Sequence, residues 1–229
     1  MSKLKGLLLT EGLHGMISQV EGLAKALDLD FFHEKVELNS FWNLIPPNLT
    51  PVSKFVFKNK IEKEFDIIIS CGRKSVIPSI YLKKKSNTKI INIHIQNPKV
   101  SIDNFDYIVS PEHDNLNGHN VINSKGAIHY LTLDEIKSEK NYLENKLEKN
   151  KDIITLILGG PTNYYDYSNE NIIRIFSLVN KHLIEQNLQL ILIPSNRTPK
   201  ETITFAKEYF NKSRLIIDNV DKRAYLSSL

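Results

Sequence analysis

The stretch Leu4-Lys5-Gly6-Leu7-Leu8-Leu9-Thr10-Glu11-Gly12-Leu13-His14-Gly15-Met16 decides the fold class. An apolar run stops at Thr10, glycines and two ionisable groups follow, and apolar residues then recur at helical spacing from Met16 to Leu27. Strand, glycine turn and helix in that order are the repeating unit of an α/β sheet. The alternation continues along the chain. Strands are predicted at 4–9, 31–38, 65–70, 89–95, 107–110, 153–158, 189–193 and 214–217, and helices at 16–27, 75–84, 169–186 and 199–210. Runs such as Ile67-Ile68-Ile69 are apolar without alternation, as parallel strands covered on both faces require. In the 169–186 helix, Ile172, Ile173, Phe176, Val179, Leu183 and Ile184 are expected to share one buried face.

The charged stretch 134–151 holds no Gly or Pro and reads as a solvated helix with Ile136, Leu143 and Leu147 on one side. It is the expected seam between two Rossmann-like α/β units, 1–133 and 152–229. The second offers three strands before a helix-like end at 221–229. Three strands leave a sheet edge uncovered, so the second unit is expected to be incomplete and the chain truncated at its C-terminus.

The 229 residues are 41% hydrophobic and 24% charged, a folded globular composition that excludes a disordered chain. No apolar stretch approaches the roughly 20 residues of a spanning helix, and the first apolar run is too short for a signal peptide. The formal charge of +4 shows no footprint for nucleic acid, and no such partner is expected. Ile, Lys and Asn number 29, 25 and 23 against five each of Ala and Arg, a bias that A/T-rich codons produce. The single cysteine, Cys71, excludes a disulfide framework and a thiolate metal cluster. The expected location is the cytoplasm, with peripheral contact at the inner membrane as a second expectation. Lys83-Lys84-Lys85 with Lys54, Lys58, Lys60 and Lys63 would attract anionic headgroups, although a solvated face is the plainer reading.

Ligands of open α/β sheets bind at the carboxyl ends of the strands, so the residues after each strand are the candidates for chemistry. After the first strand, Gly12 and Gly15 precede a helix whose N-terminus favours an anion, and Glu11 and His14 supply a base or a phosphate contact. The full dinucleotide glycine spacing is missing, which disfavours a nicotinamide cofactor. Ser70-Cys71-Gly72-Arg73-Lys74-Ser75 ends like a phosphate loop but lacks its earlier glycine; Arg73 is suited to a two-pronged anion contact, and Cys71 is assigned no catalytic role. Gln96-Asn97-Pro98 and Pro111-Glu112-His113-Asp114 follow later strands, the latter offering acid–base groups without metal-ligand spacing. In the second half, Gly159-Gly160-Pro161-Thr162 repeats the anion-cradle pattern and Ser195-Asn196-Arg197-Thr198-Pro199 places another arginine at a strand end. Tyr164, Tyr165 and Tyr167 are candidates to stack on a base or sugar. Two glycine turns from two such halves suit a nucleotide-activated substrate with a diphosphate.

These segments also carry a resemblance. Thr10-Glu11-Gly12 with Gly15, Gln19, Gly22-Leu23-Ala24 and Ala26-Leu27, then Cys71-Gly72-Arg73, Gln96-Asn97-Pro98, Phe105-Asp106, Pro111-Glu112-His113-Asp114, Gly126-Ala127, Gly159-Gly160-Pro161 and Arg197-Thr198-Pro199, follow one another in a known order. In them the chain resembles the elongated-mitochondria (mitochondrial fission Elm) family, over essentially its whole length. The resemblance implies a glycosyltransferase-B-like fold, similar to the enzyme that adds N-acetylglucosamine in peptidoglycan synthesis. It implies that the 11–15 loop meets an acceptor and that the 159–162 and Arg197 turns meet a sugar-nucleotide donor. Family members continue beyond the segment resembling Ile217-Asp218-Asn219, which again points to truncation.

The resulting expectation is a sugar transferase using a nucleotide-sugar donor and a cell-envelope acceptor, with no resident cofactor and no metal. Its catalytic candidates are Glu11, His14 and His113. Its substrate-binding candidates are Gly12, Gly15, Gln19, Arg73, Gln96 and Glu112, with Gly159, Gly160, Thr162, Ser195, Arg197 and Thr198 in the second half. The alternative is a non-catalytic membrane-surface adaptor of the same fold, the role the family's plant members take, or an inactive fragment.

Overall fold

The structure, a computed structural model, describes residues 3–162, 165–210 and 214–228. The chain divides into two compact units, Met1–Leu131 and Thr132–Leu229. The first contains β1 (Lys5–Thr10), α1 (His14–Ala26), β2 (Asp30–Lys35), β3 (Ile67–Cys71), α2 (Val76–Lys85), β4 (Ile91–Ile95), β5 (Tyr107–Pro111) and β6 (Val121–Ser124). All pairings are parallel, in the order β2-β1-β3-β4-β5-β6. One face packs Leu8, Ile69, Cys71, Ile93 and Ile95 against Val20 and Ala24 of α1. The other sets Ile108 against Ile77 and Ile80 of α2, and Leu7, Leu9 and Ile68 against Val36 and Ile90. Each large side chain buried this way contributes about 1.5–3 kcal/mol.

Two elements differ from the sequence reading. β2 stops at Lys35, short of the predicted residue 38; beyond it Leu38 makes only an antiparallel bridge to Phe57. β6 is an unpredicted edge strand, because Val121-Ile122-Asn123-Ser124 has no sustained apolar face and is aligned by its ladder with β5.

The second unit begins with α3 (Leu133–Glu139), followed by β7 (Ile153–Leu158), α4 (Asn169–Glu185), β8 (Gln189–Pro194), α5 (Lys200–Tyr209), β9 (Leu215–Ile216) and α6 (Lys222–Ser227). Its sheet is parallel, in the order β7-β8-β9. Phe176 of α4 is fully buried, stacked on Phe205 with ring centroids 5.7 Å apart and leaning on Phe210 at 5.0 Å. The α4 stripe is narrower than expected: Ile172, Phe176 and Leu183 are buried, but Ile173 and Ile184 are 47% and 67% exposed. The charged 134–151 stretch is not one helix. A Thr132–Glu135 capping box starts α3, which ends at Glu139, and Leu143 turns inward to pack fully buried with Ile191, Ile193 and Ala224. Burial of that leucine outweighs the helical propensity of the surrounding Lys and Glu residues.

A polar row also lies inside the first unit: Ser70, Asn92, His94 and Ser110 are all at most 1% exposed. Ser70 Oγ sits 2.9 Å from His94 Nδ1, and burial pushes the imidazole pKa down from 6.5 to about 3. His94 is therefore neutral in the fold and titrates normally once unfolded. Between those two values the unfolded chain binds the extra proton, so stability falls as pH drops through the window. Urea midpoints measured from about pH 7 to pH 4 should decline more steeply for the wild type than for His94→Leu. Parallel slopes would show that His94 takes up its proton without unfolding.

Candidate functional sites at the strand ends

In the first unit the strand order reverses at β1, whose neighbours are β2 on one side and β3 on the other. Connections leave these strands in opposite directions, and the crevice at their carboxyl ends is where open α/β sheets take ligands. The loops after β1 and β3 meet there. Glu11 Oε1 accepts from the Lys74 backbone N–H at 3.2 Å, and Glu11 Oε2 lies 3.2 Å from Lys74 Nζ. Gly72, at φ +92°, closes the turn; a Cβ there would stand 2.7 Å from the Met16 thioether and 3.3 Å from Glu11 Oε1. Cys71 is buried below, its thiol pushed up to about 12 by burial and then by the Glu11 charge. Its side chain belongs to the core cluster that holds Ile69 and Ile95.

Arg73 differs from expectation. Its guanidinium donates to the Asn43 carbonyl at 2.6 Å and the Ile45 carbonyl at 3.1 Å, so the fork expected to grip an anion instead pins the 43–45 loop. Gly12 donates its N–H to Thr10 Oγ1 at 3.1 Å. His14 and Gly15 open α1, both exposed, with no side-chain cap at Leu13 and no acidic residue in the first turn. Gln19 reaches back to donate to the Gly15 carbonyl at 3.1 Å, and its buried Oε1 has no partner among the described residues. Both Glu11 oxygens are thus engaged, whereas His14 is exposed.

Further along the same edge, Gln96 adopts φ +84°, a left-handed conformation that costs a non-glycine residue about 1–3 kcal/mol, while its N–H continues the ladder to Val109. Ser110 Oγ donates weakly to Asp114 at 3.4 Å. Glu112 is exposed, and the His113 ring, 74% exposed, lies 3.8 Å from Asp114 Oδ1. Among the described residues, no group of three His, Cys, Asp or Glu side chains is placed to hold a metal ion. Sequence reasoning missed Lys74, whose signal was its position two residues after the glycine that ends β3. It also missed Asp106, which accepts from the Asn92 N–H and from Lys83 Nζ, both at 2.7 Å. Burial alone would raise the Asp106 pKa, but those bonds and the Lys83 charge hold it below the ordinary carboxylate value.

In the second unit the glycine turn does not open a helix directly. α4 starts only at Asn169 and is capped by its own Ser168, which accepts from the Asn171 N–H. Gly160 instead permits a close approach: a Cβ there would lie 2.2 Å from the Arg197 carbonyl oxygen. Thr198 Oγ1, buried between the loops, lies 2.8 Å from the Leu158 carbonyl, 2.7 Å from that of Gly159, and accepts from the Ser195 N–H at 2.8 Å. Ser195 Oγ accepts from the Arg197 N–H at 3.2 Å. Of the two residues expected to bind phosphate, Thr198 thus ties the two loops together, while the Ser195 hydroxyl bonds within its own turn. Beside them lies a hollow of about 810 Å³ lined by Thr162, Tyr165, Asp166, Tyr167, Arg174 and Arg197. Burial raises the Tyr167 phenol, opposed by nearby Arg197 and a hydrogen bond from the Gly159 backbone. Tyr164 lies outside the described residues.

Two parallel sheets, the second small, with glycine turns at their carboxyl ends define a glycosyltransferase-B-like α/β protein. UDP-GlcNAc 2-epimerase from Methanocaldococcus jannaschii shares this fold, with a TM-score of 0.56 at 14% identity, covering 98% of this chain and 76% of that one. A second structure of that enzyme, with UDP-GlcNAc and UDP, gives 0.47 at 11% identity, covering 96% and 75%. The chain belongs to the mitochondrial fission ELM1 family, whose model matches residues 14–229. A curated relative, the uncharacterized protein RP120 of Rickettsia prowazekii (strain Madrid E), is 25% identical over 185 residues, 67% of this chain and 52% of the relative. The chain thus spans about half the length of that relative.

Gly160→Ala should destabilise the second unit by about 1–3 kcal/mol through overpacking, and Thr198→Val by a similar amount by leaving buried carbonyl and amide groups unmet. Gly15→Ala, where nothing stands within 4 Å of the new methyl, should cost nothing measurable. Urea unfolding checks the ranking; a Gly160→Ala protein as stable as the wild type would contradict the loop packing.

Proposed function

We propose that the chain handles a sugar nucleotide and, as a transferase, passes the sugar to a hydroxyl acceptor of the cell envelope. The observation that carries this reading is the pair of strand-end sites. One presents His14 at an uncapped helix start, and the other presents Arg174, Arg197 and Tyr167 around a hollow. A parallel-sheet fold takes ligands at these ends. The likeness in fold to the Methanocaldococcus jannaschii UDP-GlcNAc 2-epimerase supports a nucleotide sugar as the ligand class.

In the proposed reaction the acceptor hydroxyl gives its proton to His14 as its oxygen attacks the anomeric carbon. The bond to the nucleoside diphosphate breaks, and the leaving diphosphate takes up the electron pair. Arg197 and Arg174 stabilise that charge, which grows in the transition state. Glu11 is then a positioning residue: through Lys74 it holds the β3 loop against the start of α1. His113 and Glu112, exposed at the end of β5, are assigned to contacts with the acceptor. The acceptor places the working protein at the inner face of a membrane, which it would meet peripherally; among the described residues no helix is long and apolar enough to cross one.

The second reading is a non-catalytic binding protein. It is favoured by the way Glu11, Arg73 and Thr198 are spent on holding loops together.

Thermal melts and release of uridine diphosphate separate the readings. UDP-GlcNAc at a hundred times its Kd should stabilise the wild type by about 2.7 kcal/mol. Arg197→Ala should lose that shift. His14→Ala should keep the shift but lose turnover. A shift without turnover in the wild type would select the binding protein, and no shift with uridine or guanosine diphosphate sugars would contradict both.

A further inference from the structure

Four of the seven lysines that sequence left as a solvated face, Lys54, Lys60, Lys63 and Lys85, line one concavity. It lies at the opposite edge of the first sheet from the sites above, between the start of β1 at Lys5, Asp66 before β3 and Ile90 before β4. The hollow measures about 760 Å³. Its walls bring together the 54–66 loop and the last turn of α2.

Six lysines line it against three carboxylates. Lys3 is paired with Asp28, while Lys63 lies 4.8 Å above the Phe32 ring and Lys85 lies 5.9 Å from the centre of the Tyr81 ring. Of the carboxylates, Asp66 accepts from the Lys5 N–H at 2.8 Å, while Glu62 and Glu64 stay exposed on the loop. Lys54, Lys60 and Lys85 are the group that matters. Lys54 is half-buried, 4.1 Å above the Phe57 ring, and bonded to the Asn59 carbonyl. Burial lowers its pKa first, and the charges of Lys85 and Lys60 lower it further. Like charges gathered tightly enough to oppose one another's protonation destabilise the empty fold, and an anion among them relieves that repulsion.

The rest of the lining is what a phosphate-bearing ligand with an apolar or planar portion needs. Phe57 and Tyr81 meet edge to face at 5.5 Å, giving an aromatic wall. Ser86 Oγ and Thr88 Oγ1, 3.0 Å apart, supply hydroxyls beside Lys85. Lys83, in the same helical turn, is tied to Asp106 at 2.7 Å, so the run Lys83-Lys84-Lys85 is divided between a structural ion pair and the hollow.

We infer that this hollow is a second anion site, distinct from the strand-end sites, that takes a phosphate group through Lys54, Lys60 and Lys85. The phosphate comes either from a free phosphorylated molecule or from a lipid headgroup. The inference does not rest on the proposed transferase reading, since no residue is shared between the two places.

Calorimetric titration with inorganic pyrophosphate and sedimentation with phosphatidylglycerol vesicles, against phosphatidylcholine vesicles, test it at low salt. The wild type should bind at least one probe. The double variant Lys60→Glu/Lys85→Glu, in which both side chains are exposed and the melting temperature should be kept, should weaken that binding by about tenfold or more. Lys125→Glu, an exposed lysine elsewhere in the first unit, should leave it unchanged. Pyrophosphate binding assigns a free ligand, and vesicle binding alone assigns a headgroup. Neither probe binding, or equal binding by wild type and double variant, would overturn the inference.

Discussion

The reversal of strand order at β1 is the constraint on which the first unit depends. Parallel pairing on both sides of one strand forces the connections after β1 and β3 apart, and the gap between them must be closed by something polar. Glu11 closes it, because its carboxylate accepts from the backbone and the ammonium of Lys74 at the same time. Gly72 can lie against that carboxylate only without a side chain, and Met16 fills the space beside it. The ends of two strands and the start of one helix are therefore positioned by a single ion pair, with His14 left outside it.

The second unit solves the same problem differently. No ion pair joins the loops after β7 and β8 among the described residues; a buried threonine hydroxyl and a backbone-on-backbone contact at Gly160 do so. Glycine there serves close packing more than anion binding, and the charge that faces the neighbouring hollow is supplied by Arg174 and Arg197. Two turns that look alike as sequence thus do different physical work.

Much of the fold was legible because burial on both faces leaves a strong mark. Ile153-Ile154-Thr155-Leu156-Ile157-Leu158 and Tyr107-Ile108-Val109-Ser110 lie where their apolar runs placed them. β6 was not legible, since an edge strand with two exposed residues between half-buried ends takes its register from β5. The turn at Leu143 was also hidden, because Ile136, Leu143 and Leu147 recur at helical spacing among Lys and Glu and so read as one side of a continuous helix. At the strand ends the positions of Glu11, Arg73 and Thr198 were readable, but their partners were not. A guanidinium bonded to two carbonyls from residues 43 and 45 depends on the path of a loop that carries no repeating pattern.

We propose that ligand is recognised at the carboxyl ends of the strands, where these loops have been fixed in advance. Hydrogen–deuterium exchange with and without saturating UDP-GlcNAc reports each loop's amides separately. Slowed exchange is expected in the strand-end loops at 11–15 and 72–75 or at 159–162 and 195–199. Saturation that slows no strand-end amide, or slows only amides at the opposite edge, would contradict it.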